Sequence, residues 1–415
     1  MMSKQAPIPE VRFPRFACDW ETRELRTVAT FSKGSGYSKS DLADSGVPII
    51  LYGRLYTKYE SLISEVDTYA EIQPGSRLST GNEVIVPASG ETPEDIARAS
   101  AVRQSGVILA GDLNVIHPSG LLNSHFLALR LSNGEPHSKL AERAQGKSVV
   151  HLHGKDIADV AVKFPSLSEQ QVIGSLFERL DSLIDLQQEE LKKLRQFKNA
   201  MLGKMFPRPG AAVPEVRFPG FQDEWEGKSL GSLGDTYSGL SGKSKGDFGH
   251  GEAKFVVYTN VYSNSLADLS GVERVEVDSR QNEVKFGDVF FTTSSEVPEE
   301  VGMSSVWLDD RPNVYLNSFC FGWRPKTKCD PFFTASVLRS PSVRTQFVRL
   351  AQGISRYNIS RTKAMDIIVP IPSLPDEQRK IGEFFKNLDS LIELKDKQHE
   401  KLSQIKRSLL SKMFV

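Results

Sequence analysis

From Ser166 to Phe206 the chain reads SLSEQQVIGSLFERLDSLIDLQQEELKKLRQFKNAMLGKMF, with no proline and only two glycines, Gly174 and Gly203. Positions 173, 177, 180, 184, 187, 191, 194, 198, 201 and 205 alternate steps of four and three. They hold Ile, Phe, Leu, Ile, Gln, Leu, Leu, Lys, Met and Met, so only Gln187 and Lys198 break an apolar seam. Apolar residues at a 3.5-residue repeat line one side of a helix and form a coiled-coil stripe. The spacing predicts a helix of about 40 residues, roughly 60 Å long at 1.5 Å per residue. Ser168 with Gln171 has the spacing of a capping box, with Ser166 as the alternative cap. Pro207 and Pro209 close the run.

The same run returns at the end, where Ser373 to Val415 reads SLPDEQRKIGEFFKNLDSLIELKDKQHEKLSQIKRSLLSKMFV. After a one-residue insertion near Pro375 the copies align without a gap, and EQ, IG, LDSLI and KMF coincide. Its seam at 381, 385, 388, 392, 395, 399, 402, 406, 409 and 413 holds Ile, Phe, Leu, Ile, Lys, His, Leu, Lys, Leu and Met. A lone helix would leave such a stripe in water. The expectation is that the two pair with each other. The pairing residues are Ile173, Phe177, Leu180, Ile184, Leu191, Leu194 and Met201 on the first and Ile381, Phe385, Leu388, Ile392, Leu402 and Leu409 on the second.

A second repeat lies upstream of each helix: PEVRFPRFACDWE at 9–21 and PEVRFPGFQDEWE at 214–226. The chain is two copies of one unit, a globular part followed by a helix. The expected division is a first domain at 1–165, a helix at 166–206, a linker at 207–213, a second domain at 214–371 and a helix at 372–415. In the first domain VPIILYGRLYTKY (47–59), NEVIVPAS (82–89) and GVILAGDLNVI (106–116) read as strands. KFVVYTNVYSN (254–264), VKFGDVFFTT (284–293) and VYLNSFCFGWRP (314–325) do so in the second, and 332–352 has helical period. Both domains close alike, AQGKSVVHL (144–152) matching AQGISRYNI (351–359) before a last strand. The fold class is mixed α/β (α+β). A near-constant rod is a docking surface presented twice, and a domain that differs between copies is where specificity lives.

The 415 residues exceed one ordinary domain. No apolar run is long enough to span a bilayer and no secretory start is present. MMSKQAPIPE reads as a short free tail. Cys18, Cys320 and Cys329 have no metal-ligand spacing and no even framework, which fits a reducing cytoplasm. A formal charge of zero excludes a strongly basic nucleic-acid coat, so DNA contact must use local patches.

No active site assembles from the motifs. Gly242-Lys243-Ser244 and Gly146-Lys147-Ser148 lack the P-loop glycine five residues earlier, where Tyr237 and Ala141 stand. They read better as polar loops touching a phosphate. Asp278 with Glu283-Val284-Lys285, and Asp247 with Glu252-Ala253-Lys254, are too loosely spaced for a nuclease triad and read as solvated strand faces. His151 and His153 alternate on an expected strand, without the acidic or cysteine partner a metal site needs. No GxGxxG follows a strand, and Asp330-Pro331-Phe332-Phe333 reads as a turn before a helix.

One charge feature stands out. No Asp or Glu occurs from Pro331 to Met365, where Arg339, Arg344, Arg349, Arg356, Arg361 and Lys363 fall, which predicts a local positive face. Arg356-Tyr357-Asn358 combines a donor, a stackable ring and an amide able to pair with adenine. Tyr52, Arg54, Tyr56, Lys58 and Tyr59 make a similar mixture in the first domain. Candidate DNA contacts are therefore Lys33, Tyr37, Tyr52, Arg54, Tyr56, Lys58, Lys147 and His151 in the first copy. In the second they are Lys243, Lys245, Tyr258, Asn260, Arg356, Tyr357, Asn358 and Arg361.

Together the duplicated unit, Trp20-Glu21 and Trp225-Glu226, VPIILYGRLYTKY, AQGISRYNIS (351–360) and the helix starts PSLSEQQ and PSLPDEQ make the chain resemble the specificity subunit of type I restriction–modification systems. The resemblance spans almost the whole length. It implies two target-recognition domains, each reading half of a bipartite DNA sequence, on two helices packed antiparallel as a spacer. It implies two methyltransferase subunits and motor-nuclease subunits as partners, which hold S-adenosylmethionine, ATP and Mg2+. The chain itself then binds no cofactor or metal and is not a catalyst. It departs from the pattern at Lys147-Ser148-Val149-Val150-His151, where the second copy has Ile354-Ser355-Arg356-Tyr357-Asn358. The rival readings are a self-contained nuclease or methyltransferase, and a coiled-coil adaptor that binds only protein.

Overall fold

In the computed structural model, which describes residues 9–414, both repeated runs are helices, Leu167–Lys204 and Pro375–Met413. The free tail expected at the N-terminus lies, as far as Ile8, outside the described residues. The first helix starts directly after Ser166, whose carbonyl accepts from the Glu169 and Gln170 amides. The cap is thus Ser166, and Ser168 sits inside the first turn. Every seam position from Ile173 to Met205 and from Ile381 to Met413 is buried or half-buried.

The chain divides into two compact units, Met1–Gln188 with Gln398–Val415, and Glu189–Lys397. Each unit therefore holds one stretch of each helix, and in each the two stretches run antiparallel. In the first, Phe177 meets Phe414 at 5.9 Å between ring centroids and Asp181 pairs with Lys406, so numbers rise on one helix as they fall on the other. In the second, Phe206 stacks on Phe385 at 5.8 Å, Lys198 pairs with Asp389 at 2.5 Å and Lys395 with Glu190 at 2.7 Å. The three lysines that interrupt the seam, Lys198, Lys395 and Lys406, are thus paired with carboxylates flanking it. Asp181 and Asp389 belong to the two LDSLI copies, and Lys198 and Lys406 are the matching seam breaks.

The upstream repeat has a packing reason in each unit. Arg12 of the first PEVRFP donates to both carboxylate oxygens of Glu169 at 2.7 Å, and Glu169 is 1% exposed. Arg217 of the second does the same to buried Glu377 at 2.6 and 2.8 Å. A carboxylate buried in the first turn of a helix needs such a bidentate partner. Trp20 packs edge-on against Phe126 at 5.8 Å, and Trp225 lies tilted against Phe333 at 5.9 Å. Asp330 caps the helix Pro331–Leu338 by accepting from the Phe333 amide, as the sequence predicts.

The first unit has two five-stranded sheets. One runs in the order Ala29–Lys33, Leu113–Pro118, Glu83–Pro87, Ser100–Val102, Leu62–Ile63, and the other is built around Val47–Ile50 and Ser105–Leu109. The second unit has a four-stranded sheet around Cys320–Pro325 and Val289–Thr292 and a three-stranded sheet around Phe248–Val256. A short antiparallel pair precedes each long helix, Glu21–Glu24 with Ala161–Phe164 and Glu226–Ser229 with Ile368–Ile371.

Two expected strands are cut short. Within 47–59 the strand ends at Ile50 and Arg54–Thr57 is a helical turn, and within 254–264 the strand ends at Val256 and Tyr258–Ser263 is helical. At the second of these, Asn260 decides: its buried amide bridges the Asp268 and Gly271 carbonyls, and that closure outweighs the β preference of its neighbours. His153 does not follow His151 on a strand but caps the short helix Gly154–Ala158.

Candidate nucleic-acid interface

The segment alike in both copies, AQGKSVVHL and AQGISRYNI, folds in each unit into a tight hairpin. Gln145 and His151 exchange backbone hydrogen bonds of 3.0 and 2.8 Å, and Gln352 and Asn358 exchange bonds of 2.9 and 2.8 Å. Gly146 and Gly353 take φ of 142° and 150°, a region that excludes a side chain without strain. Each hairpin is then paired to a two-residue strand elsewhere in its unit, Val150–His151 on Ser89–Gly90 and Tyr357–Asn358 on Ser294–Ser295.

A tyrosine anchors each platform from below. Tyr56 donates to the Ser89 carbonyl at 2.8 Å, and Tyr258 to the Ser294 carbonyl at 2.6 Å. Burial pushes both phenols above their ordinary pKa, which keeps them neutral donors. Tyr52 packs edge-on to Tyr56, and Tyr52, Tyr56, Arg98 and Val149 line a hollow of about 510 Å³ beside the first hairpin. In the second unit Tyr258 stacks on Tyr262, and Arg356 Nη2 donates to Ser294 Oγ at 3.1 Å. Exposed Asn358 donates to the Arg356 carbonyl at 3.3 Å.

The structure thus brings together Tyr52, Tyr56, Lys147 and His151 in one unit, and Tyr258, Arg356, Tyr357 and Asn358 in the other. Lys33 ends an outer strand, and Lys245 and Arg361 are exposed at the starts of the short helices Lys245–Asp247 and Arg361–Ala364. The remaining candidates are engaged within the fold. Tyr37 is 8% exposed with its hydroxyl donating to the Glu71 carbonyl. Arg54 is turned inward onto Glu60 and Asp67. Arg54 and Lys58 together hold the Asp67 carboxyl down to about 2. Lys243 pairs with Asp278 at 3.1 Å, and Arg280 and Lys243 hold that carboxyl well below its usual range. Asn260 is buried with its amide spent on its own loop.

The positive face expected over 331–365 is smaller than the sequence suggests. Arg339 donates to the carbonyls of Ser304, Val261, Tyr262 and Asn264, and Arg344 to those of Gly302, Glu299 and Val301. Burial pushes both guanidiniums down to about 10. They serve as clasps for loop carbonyls, while Arg349, Arg356, Arg361 and Lys363 remain exposed. Among the described residues no group of His, Cys, Asp and Glu could hold a metal, and no helix is long and apolar enough to cross a membrane.

A surface the seam argument missed lies beside the pairing face. Leu183 and Leu186 are 48% and 58% exposed, and their repeats Leu391 and Leu394 are 40% and 53% exposed. Phe197 and its repeat Ile405 are 47% and 40% exposed. Leu183, Phe197, Leu391 and Ile405 each directly precede a seam residue, so they form a flanking stripe repeated in both copies. Comparing the copies at non-seam positions is the signal that finds it.

Residues 18–196 and 222–404 match the type I restriction modification DNA specificity domain, once in each copy. The chain belongs to that family. Its role is to supply DNA specificity to a type I restriction–modification enzyme, and it is not itself the catalyst. It is 22% identical over 322 residues to the Type I restriction enzyme MjaVIII specificity subunit of Methanocaldococcus jannaschii, covering 69% of this chain and 68% of that one. The crystal structure of the type I system S subunit from M. genitalium has the same fold, with a TM-score of 0.59 at 14% identity over 99% of both chains. A chain from a structural study of type I R-M complex assembly and conformational transition gives 0.56 at 16% identity, over 96% of this chain and 98% of that chain.

Proposed function

We propose that each globular domain, 1–165 and 214–371, reads one half of a bipartite DNA sequence through its hairpin, while the helices at 166–206 and 372–415 set the spacing. The observation that carries this reading is one hairpin scaffold used twice with different chemistry at its tip. A shared platform positions the protein, and base contacts local to each groove then specify the sequence. Lys147 and His151 act in the first half. Arg356, Tyr357 and Asn358 act in the second, with Lys245 and Arg361 on phosphates. The repeated stripe of Leu183, Leu186, Leu391 and Leu394 is the docking surface for two methyltransferase subunits, because a surface repeated in one chain fits two copies of one partner. Those partners and the motor-nuclease subunits carry S-adenosylmethionine, ATP and Mg2+. The free thiols of Cys18, Cys320 and Cys329 suit the reducing cytoplasm, where the cell's DNA is met.

The test is methylation mapping of DNA exposed to the assembled complex. Replacing residues 214–371 by the equivalent part of a related subunit changes one half of the recognised sequence only. A swap that altered both halves would mean that the domains read DNA jointly. Asn358→Ala costs about 1–3 kcal/mol and relaxes specificity at one position, whereas Arg361→Ala weakens all sequences alike.

A further inference from the structure

Ile354 is 96% exposed, and no other large hydrophobic side chain among the described residues exceeds 58%. Leaving an isoleucine in water forgoes the free energy that its burial would release. Its position is defined by its neighbours. It follows Gly353 at the turn of the Gln352–Asn358 hairpin, where a Cβ on Gly353 would stand 2.0 Å from the Arg356 carbonyl oxygen. The ribbon below is held by its own cross-strand bonds, by pairing with Ser294 and Ser295, and by the Arg356 hydrogen bond to Ser294. The tip therefore presents an apolar side chain outward on a braced support, with a guanidinium two residues behind it. In the first copy the same place holds Lys147.

We propose that Ile354 is an apolar wedge that enters the base stack of the half-site read by the second unit and kinks the duplex there, while Lys147 at the matching tip meets a phosphate. The proposal rests on the reading of these hairpins as DNA contacts. Isoleucine is among the side chains that unstack a base step, and such insertions kink a duplex by about 20–90°. Arg356, two residues behind the tip, holds the support in place through Ser294 while the wedge enters. The energy of unstacking depends on the step and is smallest at pyrimidine–purine steps. The wedge thus adds specificity without a hydrogen bond to a base, in one half-site only.

The experiment uses the chain assembled with its methyltransferase subunits on an end-labelled duplex carrying the recognised sequence. Energy transfer between the ends reports the bend, and 2-aminopurine stepped along the second half-site reports unstacking. The wild type and Ile354→Met bend the duplex and brighten one step outside the methylated adenine. Ile354→Ala loses both signals, and Lys147→Ala keeps them. Unfolding curves of Ile354→Ala match the wild type, since the side chain is outside the fold. Unchanged bend and fluorescence in Ile354→Ala, with binding weakened by Arg356→Ala, would overturn the wedge and leave the hairpin reading standing. Unchanged binding and bend in Ile354→Ala, Arg356→Ala and Asn358→Ala alike would overturn both.

Discussion

Replacing Phe414 by alanine tests the division of the chain into units in which the C-terminal stretch belongs with the N-terminal domain. Phe414 is 1% exposed, and its ring lies 5.7 Å from Phe126 on a domain helix and 5.9 Å from Phe177 on the first long helix. Its repeat, Phe206, plays the same part in the other unit against Trp225, Phe333 and Phe385. Truncating a buried phenylalanine costs about 3–5 kcal/mol, from lost transfer energy and the cavity left behind. For a unit of about 200 residues each kcal/mol moves the melting temperature by about 2–4 °C, so a shift of about 6–20 °C follows. Calorimetry of the whole chain is the assay, with Phe206→Ala as the counterpart. Phe414→Ala lowers the transition of the unit holding Phe126, and Phe206→Ala lowers the other. The reasoning is refuted if both variants lower the same transition, or if Phe414→Ala costs less than about 1 kcal/mol.

Three further outcomes follow from specific contacts. Lys198→Asp destabilises the second unit by removing its pair with Asp389, and adding Asp389→Lys restores the match; for a pair this exposed the coupling in a double-mutant cycle is up to about 1 kcal/mol. His125 is 5% exposed beside Ser61, and burial pushes its pKa down to about 4. The unfolded chain, with an ordinary histidine, therefore binds the extra proton between about pH 6.5 and 4, and stability present above 6.5 is lost as pH falls through that window by roughly 3 kcal/mol. His125→Gln flattens this part of a melting-temperature profile, and an unchanged slope would exclude the contribution. Gly382→Ala costs more than Gly174→Ala in thermal melts, because a Cβ at 382 meets Asp330 Oδ1 at 2.3 Å whereas one at 174 meets nothing nearer than 3.4 Å.

The long helices, their pairing through Ile173, Phe177, Ile381 and Phe385, and the duplication were legible because they depend on residues a few positions apart. A 3.5-residue seam declares its own buried side, whereas the aspartates that meet Lys198 and Lys406 became known only with the helices paired. The PEVRFP repeat marked the start of each copy, although the reason for its arginine appeared only with Glu169 and Glu377 buried beneath it. The hairpins at Gln145–His151 and Gln352–Asn358 were visible as a match between copies. Their platforms at Ser89 and Ser294 were not, since those strands come from some 60 residues earlier and carry no local pattern.

Only the tertiary structure decided which cations face outward. Arg339 and Arg344 look like their exposed neighbours in sequence, yet they turn inward and donate to backbone carbonyls between Val261 and Ser304. Tyr37 likewise spends its hydroxyl on the distant Glu71 carbonyl, and Asn260 its amide on its own loop, and both thereby leave the surface. Local periodicity determines what a stretch can form, because it depends on neighbours along the chain. The direction a polar side chain takes depends on which distant carbonyl or carboxylate needs it, and that is known only once the chain has folded.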